Sequence, residues 1–172
     1  IGKEEISFTP TTIINGLVNH SGDILVSRGG APTSALIARG NDYPGNFSHV
    51  ALVYVDDKTG KTYIIESHIE RGVTLSSIDD YMNDKKLRIM VLRLRADHPQ
   101  MLQDKMLPHK AAKLAFERAS KQHIAYDFEM DYSDSTKLFC SEVASYAYKK
   151  VGVNLWMGLS SISSQGVAKW LA

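Results

Sequence analysis

The pattern of apolar and polar positions divides the chain into a β-rich middle with helical segments before and after it. "FSHVALVYVDDKTGKTYIIESH" holds two β-branched and aromatic runs around Asp56-Asp57-Lys58-Thr59-Gly60, which predicts a β-hairpin by propensity and by turn chemistry. "GVTLSS" continues the meander as a short strand, and "DILVSR" and "LRIMVLRL" read as further strands, the latter with its Arg residues at the margins. "TPTTIINGLVNHSGD" is expected to be a short helix with Thr11 or Thr12 as N-cap, closed by Ser21-Gly22. "APTSALIARG" predicts one or two helical turns ending at Gly40, "NDYPGN" a loop, and "SSIDDYMND" a capped helix. "DHPQMLQDKMLPHKAAKLAFERASKQ" is helical in pattern but interrupted by Pro108, so a break is expected there and a main helix from about residue 109. In "STKLFCSEVASYAYKKVG" the residues Val143, Ala144, Ala147, Tyr148 and Val151 recur at helical spacing, with Lys149, Lys150 and Gly152 marking the end. "SSISSQGVAKWLA" predicts a last short helix. The sum is a mixed α+β chain, read as one domain over 1–172 because no repeat, low-complexity tract or Gly/Ser-rich linker interrupts it.

Composition narrows the function classes. With 172 residues, 44% hydrophobic and 23% charged, the chain can bury a core large enough to hold a pre-organised site. Its 20 basic and 19 acidic residues give a net charge of +1, which implies no bulk attraction to nucleic acid or to an anionic membrane. No apolar run reaches the length of a membrane span. The start "IGKEEISFTP" has neither an initiator Met nor an apolar leader, which predicts a processed or excised chain whose compartment is not written in it. One cysteine, without a C-x-x-C partner, forms no intramolecular disulfide. Phosphate-loop, dinucleotide and G-x-S-x-G signatures are all missing, so no cofactor is expected.

That cysteine, Cys140, raises a choice between a small buried apolar group and a nucleophile. It falls in the first turn of a predicted helix, where unpaired N–H groups and the positive end of the macrodipole favour a thiolate. Lys137, Ser141 and Glu142 make its surroundings polar. A thiolate nucleophile needs a base, and His suits that task near neutrality. His20, His98, His109 and His123 sit in loops, helix edges or polar contexts that read as solvated. His49 opens an otherwise apolar strand and must find a hydrogen-bonding partner there. If Asp57 to Gly60 form a four-residue loop, Asp56 pairs with Lys61, Ala51 faces Glu66, and His49 faces His68. Glu66 then lies diagonal to His49, where a carboxylate could hold the imidazole in one tautomer; a solvent-facing edge charge is the competing reading. His49, His68 and Glu66 could alternatively form a two-His, one-carboxylate metal set, but no metal is expected because it leaves the thiol without a role.

"GDILVSRGG", "FSHVALVYVDD", "YIIES", "GVTLSSI" and "YDFEMDYSDSTKLFCSEVASYAYKKVGV" together resemble the YiiX/YebB-like family, circularly permuted relatives of the NlpC-type papain-like peptidases. The resemblance runs from about Gly22 to Gly152. It implies a papain-like α+β fold, an antiparallel sheet or half-barrel packed against helices. It also implies Cys140 as nucleophile, His49 as base and Glu66 as the orienting group, with His68 as an alternative third member. Tyr126 and Ser141 fall where the oxyanion or the substrate is lined, and a bacterial cell-envelope setting becomes plausible. NlpC-type peptidases have Asp before the Cys, whereas this chain has Phe139, so substrate is less constrained than chemistry.

The expected activity is hydrolysis of an amide, in a peptide or cell-wall fragment, through a thioester at Cys140. A lipid-directed acyltransferase or lipase using the same residues is one rival, favoured by a wide apolar groove beside Cys140. A catalytically silent binding domain is the other, favoured if His49 or Glu66 turns away from Cys140.

Overall fold

The computed structural model of the protein describes residues 8–39, 45–129 and 131–155. Its first element corrects the expectation of a helix at residues 9–23. Thr11–Ile14 (β1) and Leu17–His20 (β2) pair antiparallel with Ile14 opposite Leu17. Asn15 and Gly16, at φ 49° and 77°, make the left-handed two-residue turn between them. The Asn-Gly dipeptide favours that turn strongly, and the β-branched Thr11, Thr12, Ile13, Ile14 and Val18 favour strand over helix.

The next elements are Ile24–Gly29 (β3), Pro32–Arg39 (α1), His49–Val55 (β4), Thr62–His68 (β5), Gly72–Ser76 (β6), Ile78–Asn83 (α2) and Lys86–Leu92 (β7). Pro99–Gln103 (α3), Leu107–Lys121 (α4) and Cys140–Lys150 (α5) complete the described chain. The sheet of five antiparallel strands runs β6-β5-β4-β3-β7, which places the central hairpin and β3 in its middle. Ser77 caps α2 by accepting from the Asp80 N–H at 3.0 Å. The helix expected from about residue 109 begins at Leu107, with Pro108 inside its first turn. Proline is tolerated there because the missing N–H has no partner in that turn anyway, so the break falls just before the proline. Gly40, most of "NDYPGN" and the C-terminal helix expected in "SSISSQGVAKWLA" lie outside the described residues.

Leu52, Tyr54 and Ile65 of the hairpin pack against Leu107, Ala111, Val143, Ala147 and Tyr148 of α4 and α5. A second cluster gathers Leu25, Ala51, Val53, Val55 and Ile64 with Tyr81 of α2 and Ile14 of β1. Both clusters grip β4 and β5, the strands that carry the candidate residues. His109, expected to be solvated, is instead buried, at 3% exposed. Its ring stacks on Tyr54 at 5.6 Å, and its Nδ1 lies 2.8 Å from the Ser21 Oγ. That Oγ also accepts from the Val55 N–H, and burial lowers the pKa of the ring.

The segment leading into α5 is tied to the sheet by backbone bonds. Val73 N–H donates to the Ile124 carbonyl at 2.9 Å, and Leu138 N–H to the Ala125 carbonyl at 3.0 Å. Ser67 Oγ donates to the Leu138 carbonyl at 2.7 Å. This close approach depends on Gly72, at φ 67°, where any Cβ would overlap the Ile124 carbonyl oxygen. Gly60 has a similar φ of 68° but open space around it. Gly72→Ala is therefore expected to destabilise the protein by about 2 kcal/mol more than Gly60→Ala. Urea unfolding of the two variants measures the difference, and equal losses would show that the approach at Ile124 is not tight.

Candidate active site

The β4–β5 turn sets the register on which the site depends. Asp56 N–H donates to the Lys61 carbonyl at 2.9 Å, Gly60 N–H returns to the Asp56 carbonyl at 2.8 Å, and the Asp56 Oδ1 accepts from the Lys58 N–H at 2.8 Å. A four-residue loop results, and Ala51 stands opposite Glu66 as the spacing predicts. His49, the first residue of β4, and Glu66 and His68 near the end of β5 then meet at the sheet end remote from this turn. His49 Nε2 lies 2.9 Å from Glu66 Oε2, and His68 Nε2 lies 3.2 Å from Glu66 Oε1. The two imidazoles stack with centroids 5.5 Å apart. Glu66 is thus 3% exposed and paired rather than a solvent-facing edge charge.

The electrostatics follow from this enclosure. Burial works against a charged Glu66, yet hydrogen bonds with His49 and Ser76, and the His68 imidazole 3.2 Å away, outweigh it and hold the carboxyl well below the usual carboxylate range. Burial also works against a charged His49. Hydrogen bonds with Cys140 and Glu66, together with their negative charges, prevail and push its pKa up to about 9. Since Nε2 is engaged by Glu66, Nδ1 is the nitrogen left for Cys140.

Cys140 is the first residue of α5 and is half-buried. The N-cap is Phe139, whose ring cannot accept the hydrogen bonds that Ser or Asp would take from the first turn. The N–H groups of Cys140 and Ser141, in the first turn, have no acceptor within the helix. Glu142 Oε2 accepts from the Phe139 N–H at 3.1 Å and closes the helix start from below. Tyr126 stands beside the thiol: burial, then the negative charges of Cys140 and Asp127, push its phenol up to about 12. Phe128 crosses the Tyr126 ring edge-on at 5.1 Å, and Tyr132 does the same to Phe139 at 5.4 Å, so aromatic rings border the thiol on the loop side.

Cys140, His49, Glu66, His68, Tyr126 and Ser141 are therefore brought together, and neither His49 nor Glu66 turns away. Sequence reasoning missed Ser76, whose Oγ donates to Glu66 Oε1 at 2.7 Å. Thr74 pairs with Glu66, so Ser76 is the diagonal neighbour two residues on, and that offset was the available signal.

A comparison with family profiles matches residues 18–160 to the permuted papain-like amidase enzymes, the YaeF/YiiX or C92 family. The chain belongs to this family of permuted papain-like amidases. Among solved structures the chain is similar to one described as metalloprotein yiiX from Escherichia coli O157:H7, at a TM-score of 0.67 and 18% identity, covering 87% of this chain and 78% of that one. The family match and this likeness together establish the permuted papain-like α+β fold expected from the sequence. No curated protein matches the chain. The metal description belongs to the other protein. Among the described residues of this chain, no group of three or more His, Cys, Asp or Glu side chains is arranged to hold an ion. Each imidazole Nε2 meets its own Glu66 oxygen. Among the described residues, no helix is long and apolar enough to cross a membrane.

Glu142 offers a separate check on the helix start. Burial pushes its pKa up, the Phe139 N–H pulls it back, and the charges of Asp127, Asp131 and Asp134 add to the rise, leaving it at about 7. A carboxyl whose folded pKa exceeds its unfolded value near 4.5 costs stability as pH climbs from 4.5 through 7, and the cost is complete above that range. Gln at this position keeps an acceptor for the Phe139 N–H. Glu142→Gln is expected to raise Tm at pH 8 by about 2–5 °C and to change it little at pH 4. Thermal unfolding at the two pH values decides it, and an equal effect at both would show that the charge is not strained.

Proposed function

We propose that the protein is a thiol amidase in which Cys140 is the nucleophile, His49 the acid and base, and Glu66 the group that orients His49. The observation that carries this reading is the placing of His49 between a buried carboxylate, Glu66 at 2.9 Å, and the Cys140 thiol with which it hydrogen-bonds. An imidazole held by a carboxylate beside a lone thiol favours a thiolate–imidazolium pair.

In the proposed reaction the Cys140 sulfur adds to the amide carbonyl carbon. The oxygen takes the negative charge and meets the N–H groups of Cys140 and Ser141, with the Tyr126 hydroxyl as a third donor. The tetrahedral intermediate collapses as His49 passes its proton to the departing amine, and the acyl group remains as a thioester. His49, now neutral, takes a proton from water; the hydroxide adds to the thioester, the C–S bond breaks, and the acid leaves with the thiolate–imidazolium pair restored. Glu66 stays ionised throughout and stabilises the imidazolium whenever it forms. The reading takes a peptide or cell-wall amide as substrate; the bordering rings of Tyr126, Phe128 and Tyr132 suit a partly apolar acyl portion.

Alkylation by iodoacetamide tests the pair without any substrate, and the single cysteine makes the label unambiguous. At pH 6 the native protein is expected to react at least about tenfold faster than His49→Ala, and Glu66→Gln is expected to fall between them. Equal rates in the native protein and His49→Ala would overturn the assignment.

A further inference from the structure

Glu66 presents two oxygens to three donors from three strands, and two of those donors are imidazoles with the same claim on it. Oε2 meets His49 of β4 at 2.9 Å; Oε1 meets Ser76 of β6 at 2.7 Å and His68 of β5 at 3.2 Å. The contacts on Oε1 are not equivalent. The Ser76 hydroxyl is a well-formed hydrogen bond, whereas His68 Nε2 is buried and its N–H is not aligned on any acceptor. A polar atom in that position gains from any rotation of the carboxylate toward it. His49 would pay for the same rotation, because Oε2 would leave its 2.9 Å contact.

We propose that Ser76 is a positioning residue that locks Glu66 Oε1 and thereby assigns the carboxylate to His49 rather than to His68. The inference rests on His49 being the base of the proposed mechanism. Ser76 touches no reacting atom; it acts through Glu66. The titratable neighbours of this cluster are Cys140 on the far side of His49, His68 stacked on the His49 ring, and Tyr81 of α2, whose phenol feels the Glu66 charge. With the hydroxyl present, the charge of Glu66 is directed at the imidazole that faces the thiol. Without it, the two rings share one carboxylate, and His68 gains proton affinity at the expense of His49.

The test is a 15N-NMR titration of both imidazoles, with Ser76→Val and Ser76→Thr as an isosteric pair that differs only in the hydroxyl. In Ser76→Val the His49 midpoint should fall from its native value by at least about half a unit while the His68 midpoint rises, and Ser76→Thr should leave both in place. Adding His68→Phe to Ser76→Val removes the competitor and should restore the His49 midpoint. A merely structural role for Ser76 would not move the two rings in opposite directions. Unchanged midpoints in Ser76→Val, or equal changes in the Val and Thr variants, overturn the proposal if Glu66→Gln still lowers His49. If Glu66→Gln also leaves His49 unmoved, it is the orienting role of Glu66, and with it the triad, that fails.

Discussion

A single buried carboxylate carries the site. Glu66 is 3% exposed, and an ionised group so far from water persists only when its oxygens are occupied by donors. His49 from β4 and Ser76 from β6 supply them, and His68 of β5 itself stands 3.2 Å away. The order β6-β5-β4 in the sheet is therefore also the order of the charge network. A one-residue slip of either pairing would turn a donor to the opposite face and leave Glu66 with an unmet charge.

The second requirement is to bring a thiol to that carboxylate's partner. Cys140 lies far from His49 in sequence, and no strand pairing carries it there. Short contacts do: Ile124 beside Gly72, Ala125 to Leu138, and Ser67 to Leu138. Tyr148 holds the other end of α5, donating to the Gly22 carbonyl at 2.6 Å. Phe139 has a place in this geometry that its apolar side chain conceals. It buries its ring against Tyr132 and, as an N-cap, offers no side-chain acceptor to the first N–H groups of the helix. The resemblance alone had cast it as a departure from the relatives' Asp.

What could be read from the sequence was local. The Asp56 to Lys61 turn dictates its own loop length, so the register, and with it the meeting of His49, Glu66 and His68, followed by counting. The α5 stripe of Val143, Ala144, Ala147 and Tyr148 was legible for the same reason. Errors arose where one local signal hid another. Thr11 and Thr12 resemble caps, yet Asn15-Gly16 outranks them; His109 sits at a polar helix start, yet that start is buried under Tyr54. Ser76 and the anchoring of Leu138 depend on contacts between strands or across 71 residues, and no periodicity reports those.

The account's central claim is that His49, held by Glu66, keeps Cys140 as a thiolate in the resting protein. Ultraviolet absorbance at about 240 nm, where a thiolate absorbs and a thiol does not, measures this directly as the difference between the native protein and Cys140→Ala. The account predicts a signal approaching one thiolate at pH 7 that disappears in His49→Ala. A native protein with no signal at pH 7, gaining it only as the pH passes about 8.5, the range of a free cysteine, would contradict it.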